Sequence, residues 1–116
     1  MVTITTLKKR ADFLRLNRGK KYVAPYFILR YAAGPGVTGI RVGYTVTTKC
    51  GNAVARNRIK RRLRALAKEL FPLHAAEGTD YVFIARAEVS VALQADDFAA
   101  LRDAMKEALL RTGGRA

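Results

Sequence analysis

Between Arg56 and Lys68 the chain places seven cations in thirteen positions, namely Arg56, Arg58, Lys60, Arg61, Arg62, Arg64 and Lys68, with no acid among them. Guanidinium and ammonium groups at this density are suited to binding phosphate rather than to moving protons at neutral pH. Like charges four residues apart cost a helix about 0.2–0.5 kcal/mol per pair, a strain that a polyanion relieves. Groups that carry covalent or metal-dependent catalysis are scarce. There is one Cys, Cys50, and one His, His74, so no Cys–His constellation is evident and a Cys-based zinc site is ruled out. Asp12 is the single acid between Lys8 and Lys68, so the basic region lacks the carboxylate pair that a two-metal nuclease needs. The chemistry written here is recognition of a polyanion, with no catalytic residue and no metal site in the polypeptide.

Those cations need an element to hold them. At about 100° per residue, Ala55, Ile59, Leu63, Leu66 and Leu70 fall on one stripe of a helix. Asn57, Arg58, Arg61, Arg64 and Lys68 fall away from it, Lys60 and Arg62 flank it, and Arg56 projects from the first turn. Gly51-Asn52 marks the start, with Asn52 as N-cap; the exposed N–H groups and helix dipole favour an anion there, bracketed by Arg56 and Arg58. Pro72 is expected to end the helix region.

The remaining elements supply a sheet. Ile40 to Val46 alternates, with Ile40, Val42, Tyr44 and Val46 on a buried face. Arg41, Gly43, Thr45 and Thr47 form the other face, which is either a floor for a phosphodiester chain or a plain solvated surface. Tyr22 to Ala33 reads as extended, broken at Pro25, with Phe27, Leu29 and Tyr31 opposite Tyr26, Ile28 and Arg30. Gly34-Pro-Gly is a turn signal. Leu7 to Leu16 reads as a short helix whose Phe13 either joins the core or borders a groove. Tyr81 to Ala85, almost wholly apolar, reads as a central strand covered on both faces. Gln94 to Leu110 reads as a last helix, with Asp96 and Asp97 near its start. The order α-β-β-β-α-β-α implies an α+β sandwich in a single domain, 1–116, with 1–6 and 112–116 frayed.

Charge narrows the partner. The net charge is +13, but the stretch from Lys8 to Lys68 carries +16 and the remainder from Glu69 carries −3. Such concentration marks a binding surface for nucleic acid or another polyanion. No run approaches the roughly 20 apolar residues of a membrane span, and the first ten residues lack a signal-peptide core; a cytoplasmic protein without a membrane partner is expected. A DNA-binding helix-turn-helix would join a second helix through a short turn, whereas strands flank the basic helix here, so DNA is not the expected partner. A structural RNA-binding protein remains compatible with the charge and element order.

The run Gly51-Asn-Ala-Val-Ala-Arg-Asn-Arg-Ile-Lys-Arg-Arg-Leu-Arg closely resembles the signature helix of the bacterial ribonuclease P protein component, and Arg56-Asn57-Arg58 matches that family's Arg-Asn-Arg motif. Leu7-Lys-Lys-Arg-Ala-Asp-Phe, Arg41-Val-Gly-Tyr-Thr-Val and Asp80-Tyr-Val-Phe-Ile-Ala-Arg resemble the family's flanking elements in the same order. The resemblance implies the fold of the second domain of a ribosomal S5 protein, with the signature helix in a left-handed β-α-β crossover, an exception to the usual hand. It implies a subunit of the endoribonuclease that removes the 5′ leader of precursor tRNA, in which the RNA subunit is the catalyst and holds most of the Mg2+. By the same resemblance Arg56, Asn57, Arg58, Lys60, Arg61 and Arg64 face the catalytic RNA, and Phe13, Ile28, Thr45 and Lys49 line a cleft for the leader. A further role in that picture is for Asn57 to orient a metal-bound water. Arg30 stands where some relatives have Tyr, and Leu16 or Asn17 where some have a second cleft aromatic, which shifts the expected recognition from stacking toward charge. Asn52, Arg62 and Lys68 complete the expected RNA face, and Arg41 the cleft.

Overall fold

The computed structural model describes residues 4–34, 39–90 and 98–113. Its strands are β1 (Ile4–Thr6), β2 (Lys20–Val23), β3 (Phe27–Ala33), β4 (Ile40–Thr45) and β5 (Thr79–Ala85), and its helices are α1 (Arg10–Asn17), α2 (Ala53–His74) and α3 (Phe98–Arg111). The strands form one sheet in the order β1-β4-β5-β3-β2. β5 lies at the centre, parallel to β4 and antiparallel to β3. Because β4 and β5 are parallel neighbours, the chain must cross over between them, and α2 is that crossover.

Alternation along the strands separates two faces. Phe27, Leu29, Ile40, Val42, Tyr81 and Phe83 point to one side, where Ile59, Leu63, Leu66, Leu70 and Phe71 of α2 and Leu101, Met105 and Leu109 of α3 close the main core. On the other side α1 covers only part of the sheet, burying Leu16 against Val82 and Leu7. This close approach rests on Gly43. A Cβ there would lie 2.7 Å from the Phe13 ring, so only a missing side chain lets α1 settle on the strand.

Three expectations are corrected. Residues 4–6 are not frayed: they pair in parallel with β4, Ile4 opposite Ile40, and three residues are too few for a periodic pattern to announce a strand. Thr112 is not frayed either; it is buried, and its hydroxyl donates to Ala108 O at 2.8 Å. Pro72 does not end the basic helix but sits inside its last turn. Proline removes one helical N–H bond there, yet Leu70 and Phe71 just before it are fully buried. The Ala75 N–H still closes the end on Phe71 O at 3.0 Å. The expected helix start at 94–97, with Asp96 and Asp97, and the Pro35-Gly36 part of the turn lie outside the described residues.

Candidate nucleic-acid interface

A short 3-10 turn, Thr48–Cys50, carries the chain from β4 to α2. Gly51 follows with φ +124°, a conformation open in practice to glycine alone. Asn52 then caps α2, its Oδ1 accepting from the Ala55 N–H at 2.9 Å. The buried stripe of α2 turns the cations outward in three rows. Arg56, Asn57 and Lys60 border a depression beside Val46. Arg58 lines a recess with Asn52, Cys50 and Ser90, and Arg62 beyond it stacks its guanidinium 3.7 Å over the Phe98 ring. Arg61, Arg64 and Lys68 are exposed on the outer ridge. Among the described residues no carboxylate pairs with any of these seven cations; Glu69, the single acid of α2, is held by Arg102 at 3.0 Å. The Arg56 Nε is buried without a hydrogen-bond partner, an incomplete state that an incoming acceptor would complete.

The opposite face of the sheet holds a groove of about 440 Å³, lined by Ile28, Thr47, Thr48, Lys49, Ile84 and Arg86 among others. Its floor follows from register. Thr45 is opposite Ile84, Ile84 opposite Ile28, and Ile28 opposite Val23, giving one row across four strands that is apolar but for the Thr45 hydroxyl. Phe13 of α1 stands over Gly43, one row further on, so α1 forms a wall of the groove. An apolar floor with an aromatic at one side and Lys49 at the other suits a single strand, whose bases are flat and whose backbone is charged.

Beneath α1 lies a network that no sequence pattern announced. Asp80 is buried, and its carboxylate accepts from Arg41 Nε at 2.9 Å and Arg41 Nη2 at 2.5 Å, and from Arg15 of α1. Asp12 adds a longer contact to Arg41 at 3.4 Å. The hydrogen bond to Asp80 raises the Arg41 pKa above its ordinary value, against the pull of burial. On the core side, burial pushes the Tyr44 phenol up to about 12, opposed by nearby Arg64. The Cys50 thiol is buried and donates to Ala85 O at 3.6 Å, which makes it a packed group.

The ribonuclease P family model matches residues 1–113. The chain belongs to the ribonuclease P protein family. It is 49% identical over 87 residues to the ribonuclease P protein component of Paramagnetospirillum magneticum, covering 71% of this chain and 65% of that protein, which is just under two thirds of its length. It is 44% identical over 105 residues to that of Erythrobacter litoralis, covering 90% and 83%. The solved ribonuclease P protein of Thermotoga maritima superimposes with a TM-score of 0.81 at 29% identity, over 91% of this chain and 96% of that one. As in such ribonuclease P proteins, the fold is α+β around a single sheet.

Within this ribonuclease P fold the sequence-expected residues separate. Asn52, Arg56, Asn57, Arg58, Lys60, Arg61, Arg62, Arg64 and Lys68 all lie on α2 or at its cap, with Arg62 already stacked on Phe98. Ile28 and Lys49 share the groove, Thr45 extends its floor, and Phe13 walls it. Arg30 lies in the next row, opposite Val82. Arg41 is a further row away, opposite Asp80, and its guanidinium is engaged by that carboxylate rather than open to the groove. Ile84 and Arg86 line the groove without having been singled out. The apolar run of β5 hid Ile84, which is half-buried while its neighbours Phe83 and Ala85 are buried.

Proposed function

We propose that this chain, as a ribonuclease P protein component, is an RNA-binding subunit that docks on the catalytic RNA through α2 and holds the 5′ leader of precursor tRNA in the groove on the opposite sheet face. The observation that carries this reading is the pairing of two unlike surfaces at one corner. Lys49, in the turn Thr48–Cys50, lines the groove, and Asn52, the N-cap of α2, follows three residues after it. The unpaired cations of α2 supply affinity and orientation through phosphates. The groove adds selectivity for a substrate that still carries its leader.

Removal of the leader is phosphodiester hydrolysis, and the polypeptide's part in it is positioning. Among the described residues no group of His, Cys, Asp or Glu is assembled that would hold a metal ion; Glu88, which lines the groove, is paired with Arg86 at 3.0 Å, and Asp80 beneath α1 and Asp12 on it are engaged by arginines. In this reading Mg2+ is held mainly by the RNA subunit, and the protein assists it by neutralising crowded phosphates. No helix among the described residues is long and apolar enough to cross a membrane.

The test is cleavage of a precursor tRNA at low magnesium by a bacterial ribonuclease P RNA, with and without this protein. Cleavage at the mature 5′ end restored by the protein, with no cutting by the protein alone, supports the reading. Binding to the RNA with an unchanged rate and magnesium requirement would replace it with a structural RNA-binding role.

A further inference from the structure

A second cavity, of about 580 Å³ and larger than the groove, lies at the far end of the sheet. It opens on the α2 and α3 side, where β2 and β5 begin and β3 ends. β5 is seven residues long, so about 20 Å separates the cavity from the Lys49 corner. Register builds its walls. Lys20 is opposite Tyr31, and Tyr31 opposite Tyr81, in one row; Ala33 is opposite Thr79 in the next. Thr112 and Gly113, just past the end of α3, close one side. A Cβ on Gly113 would meet nothing within 4 Å, and small side chains at Ala33 and Ala76 keep the volume open.

The two ends of the cavity differ in charge. Lys20 is exposed at one end and, among the described residues, has no carboxylate partner. The last carbonyls of α3 stand toward the other, where the helix dipole is negative and hydrogen-bond donors are favoured. Beside them the Tyr81 phenol oxygen accepts from the Ala76 N–H at 2.9 Å and lies within hydrogen-bonding reach of the Thr79 and Thr112 hydroxyls. Between the ends sits Tyr31, half-buried, whose ring a flat apolar group can cover. Two strand spacings, about 10 Å, separate Lys20 from the hydroxyl cluster.

We propose that this cavity takes one nucleoside 5′-monophosphate unit, with its phosphate on Lys20, its base against Tyr31, and donor groups of the ribose or base toward Thr79, Thr112 and the end of α3. A ligand that matches the walls carries an anion, a flat apolar body and hydrogen-bond donors in that order within about 10 Å, and a nucleotide does. The unit has two sources, a free mononucleotide or an unpaired nucleotide of an RNA. The cavity lies on the opposite face of the sheet from the groove and at the opposite end from the start of α2, so it does not rest on the reading of either surface.

The experiment is a heteronuclear NMR titration of the full chain with adenosine 5′-monophosphate, adenosine, inorganic phosphate and a tetra-adenylate RNA, using the wild type, Lys20→Ser, Tyr31→Leu, Tyr31→Phe and Ala33→Leu. The amides of Gly19, Thr79 and Gly113 report on the cavity, and those from Arg56 to Lys68 report separately on phosphate held by α2. Adenosine 5′-monophosphate is expected to shift the cavity amides, whereas phosphate alone is not. Tyr31→Leu weakens this binding by at least about fivefold, the lower end for a base on an aromatic ring, and Tyr31→Phe retains it. Lys20→Ser weakens it about twofold to fivefold and brings the nucleotide level with adenosine. Ala33 is exposed, so Ala33→Leu narrows the cavity without a change in the core and abolishes the shifts even if Tyr31→Leu disturbs folding. Tetra-adenylate that moves the cavity amides at lower concentration than the mononucleotide assigns the site to RNA, and the reverse assigns it to free nucleotide. Cavity amides unmoved by both, moved equally by phosphate, or moved as far in Ala33→Leu as in the wild type overturn the site.

Discussion

Replacing Asp80 by Asn removes one negative charge from the centre of the network under α1 while keeping the shape of the side chain. Asp80 is 2% exposed and receives hydrogen bonds from two arginines, one on α1 and one on β4. Hydrogen bonds to charged groups contribute about 1.5–3 kcal/mol each. The arginine side chains are 40% and 31% exposed, so water screens them once the carboxylate is gone, and the cost falls below the 3–5 kcal/mol typical of breaking a fully buried pair. A loss of roughly 2–3 kcal/mol follows, without a cavity contribution. For a domain of this size about 1 kcal/mol corresponds to ~4 °C, which gives a fall in Tm of about 8–12 °C. Thermal and urea unfolding of Asp80→Asn, Arg41→Gln and the double variant measure it. The double variant should be less destabilised than the sum of the singles, since removing both partners removes the uncompensated charge. A Tm within about 2 °C of wild type for Asp80→Asn, or strict additivity in the cycle, would refute the view that this network fastens α1 to the sheet.

Other outcomes are expected. Arg56→Ala, Arg58→Ala and Arg61→Ala should each weaken assembly with the catalytic RNA and flatten its salt dependence by about one counterion; three unchanged slopes in a filter-binding series would remove α2 as the RNA face. Gly43→Val should displace Phe13, which a bare Cβ already meets at 2.7 Å, costing roughly 1–3 kcal/mol of stability and weakening leader-bearing tRNA more than mature tRNA; equal loss for both would place Phe13 in the core alone. Gly51→Ala should cost about 1–3 kcal/mol because of its φ of +124°, read as a lower urea midpoint. Tyr44 should ionise near pH 12 instead of 10. Between those values the unfolded chain has lost the proton and the folded one keeps it, so stability falls as pH rises, by up to about 2–3 kcal/mol. Phenolate absorbance checks the titration, and Arg64→Ala should move it higher still.

The legible parts of the molecule are those whose periodicity is long. The α2 stripe runs from Ala55 to Leu70 and the alternation of β4 from Ile40 to Tyr44, long enough for one face to stand out, and a favourable cap at Asn52 fixed the helix start. What escaped was tertiary in origin. β1 is three residues long and gains its place only by pairing with β4. Pro72 is tolerated because Phe71 and Leu70 anchor the turn around it, which local propensity does not record. Arg41 reads as a free cation on a polar face, and only the register opposite Asp80 reveals that it is spoken for.

The same register explains how a small sheet carries two jobs without interference. Core-facing residues of β3, β4 and β5 are consumed by α2 and α3, so the basic helix is rigidly backed and its cations face away from the protein. The other face is only half covered because α1 is eight residues long and is pinned at Gly43 and Asp80, near one end of the strands. A longer α1 would roof over Ile28, Ile84 and Thr45 and close the groove; an unpinned one would let the wall formed by Phe13 drift. The buried ion network thus sets how much floor remains open. Charge is partitioned accordingly: acids under α1 are matched to Arg15 and Arg41, while Lys49, Arg30, Lys21 and the α2 series are left without acidic partners. Exposed cations such as Arg102 and Arg111 are paired as well, whereas among the described residues those of α2 are not, and that division, rather than the total of +13, is what marks α2 as the candidate RNA surface.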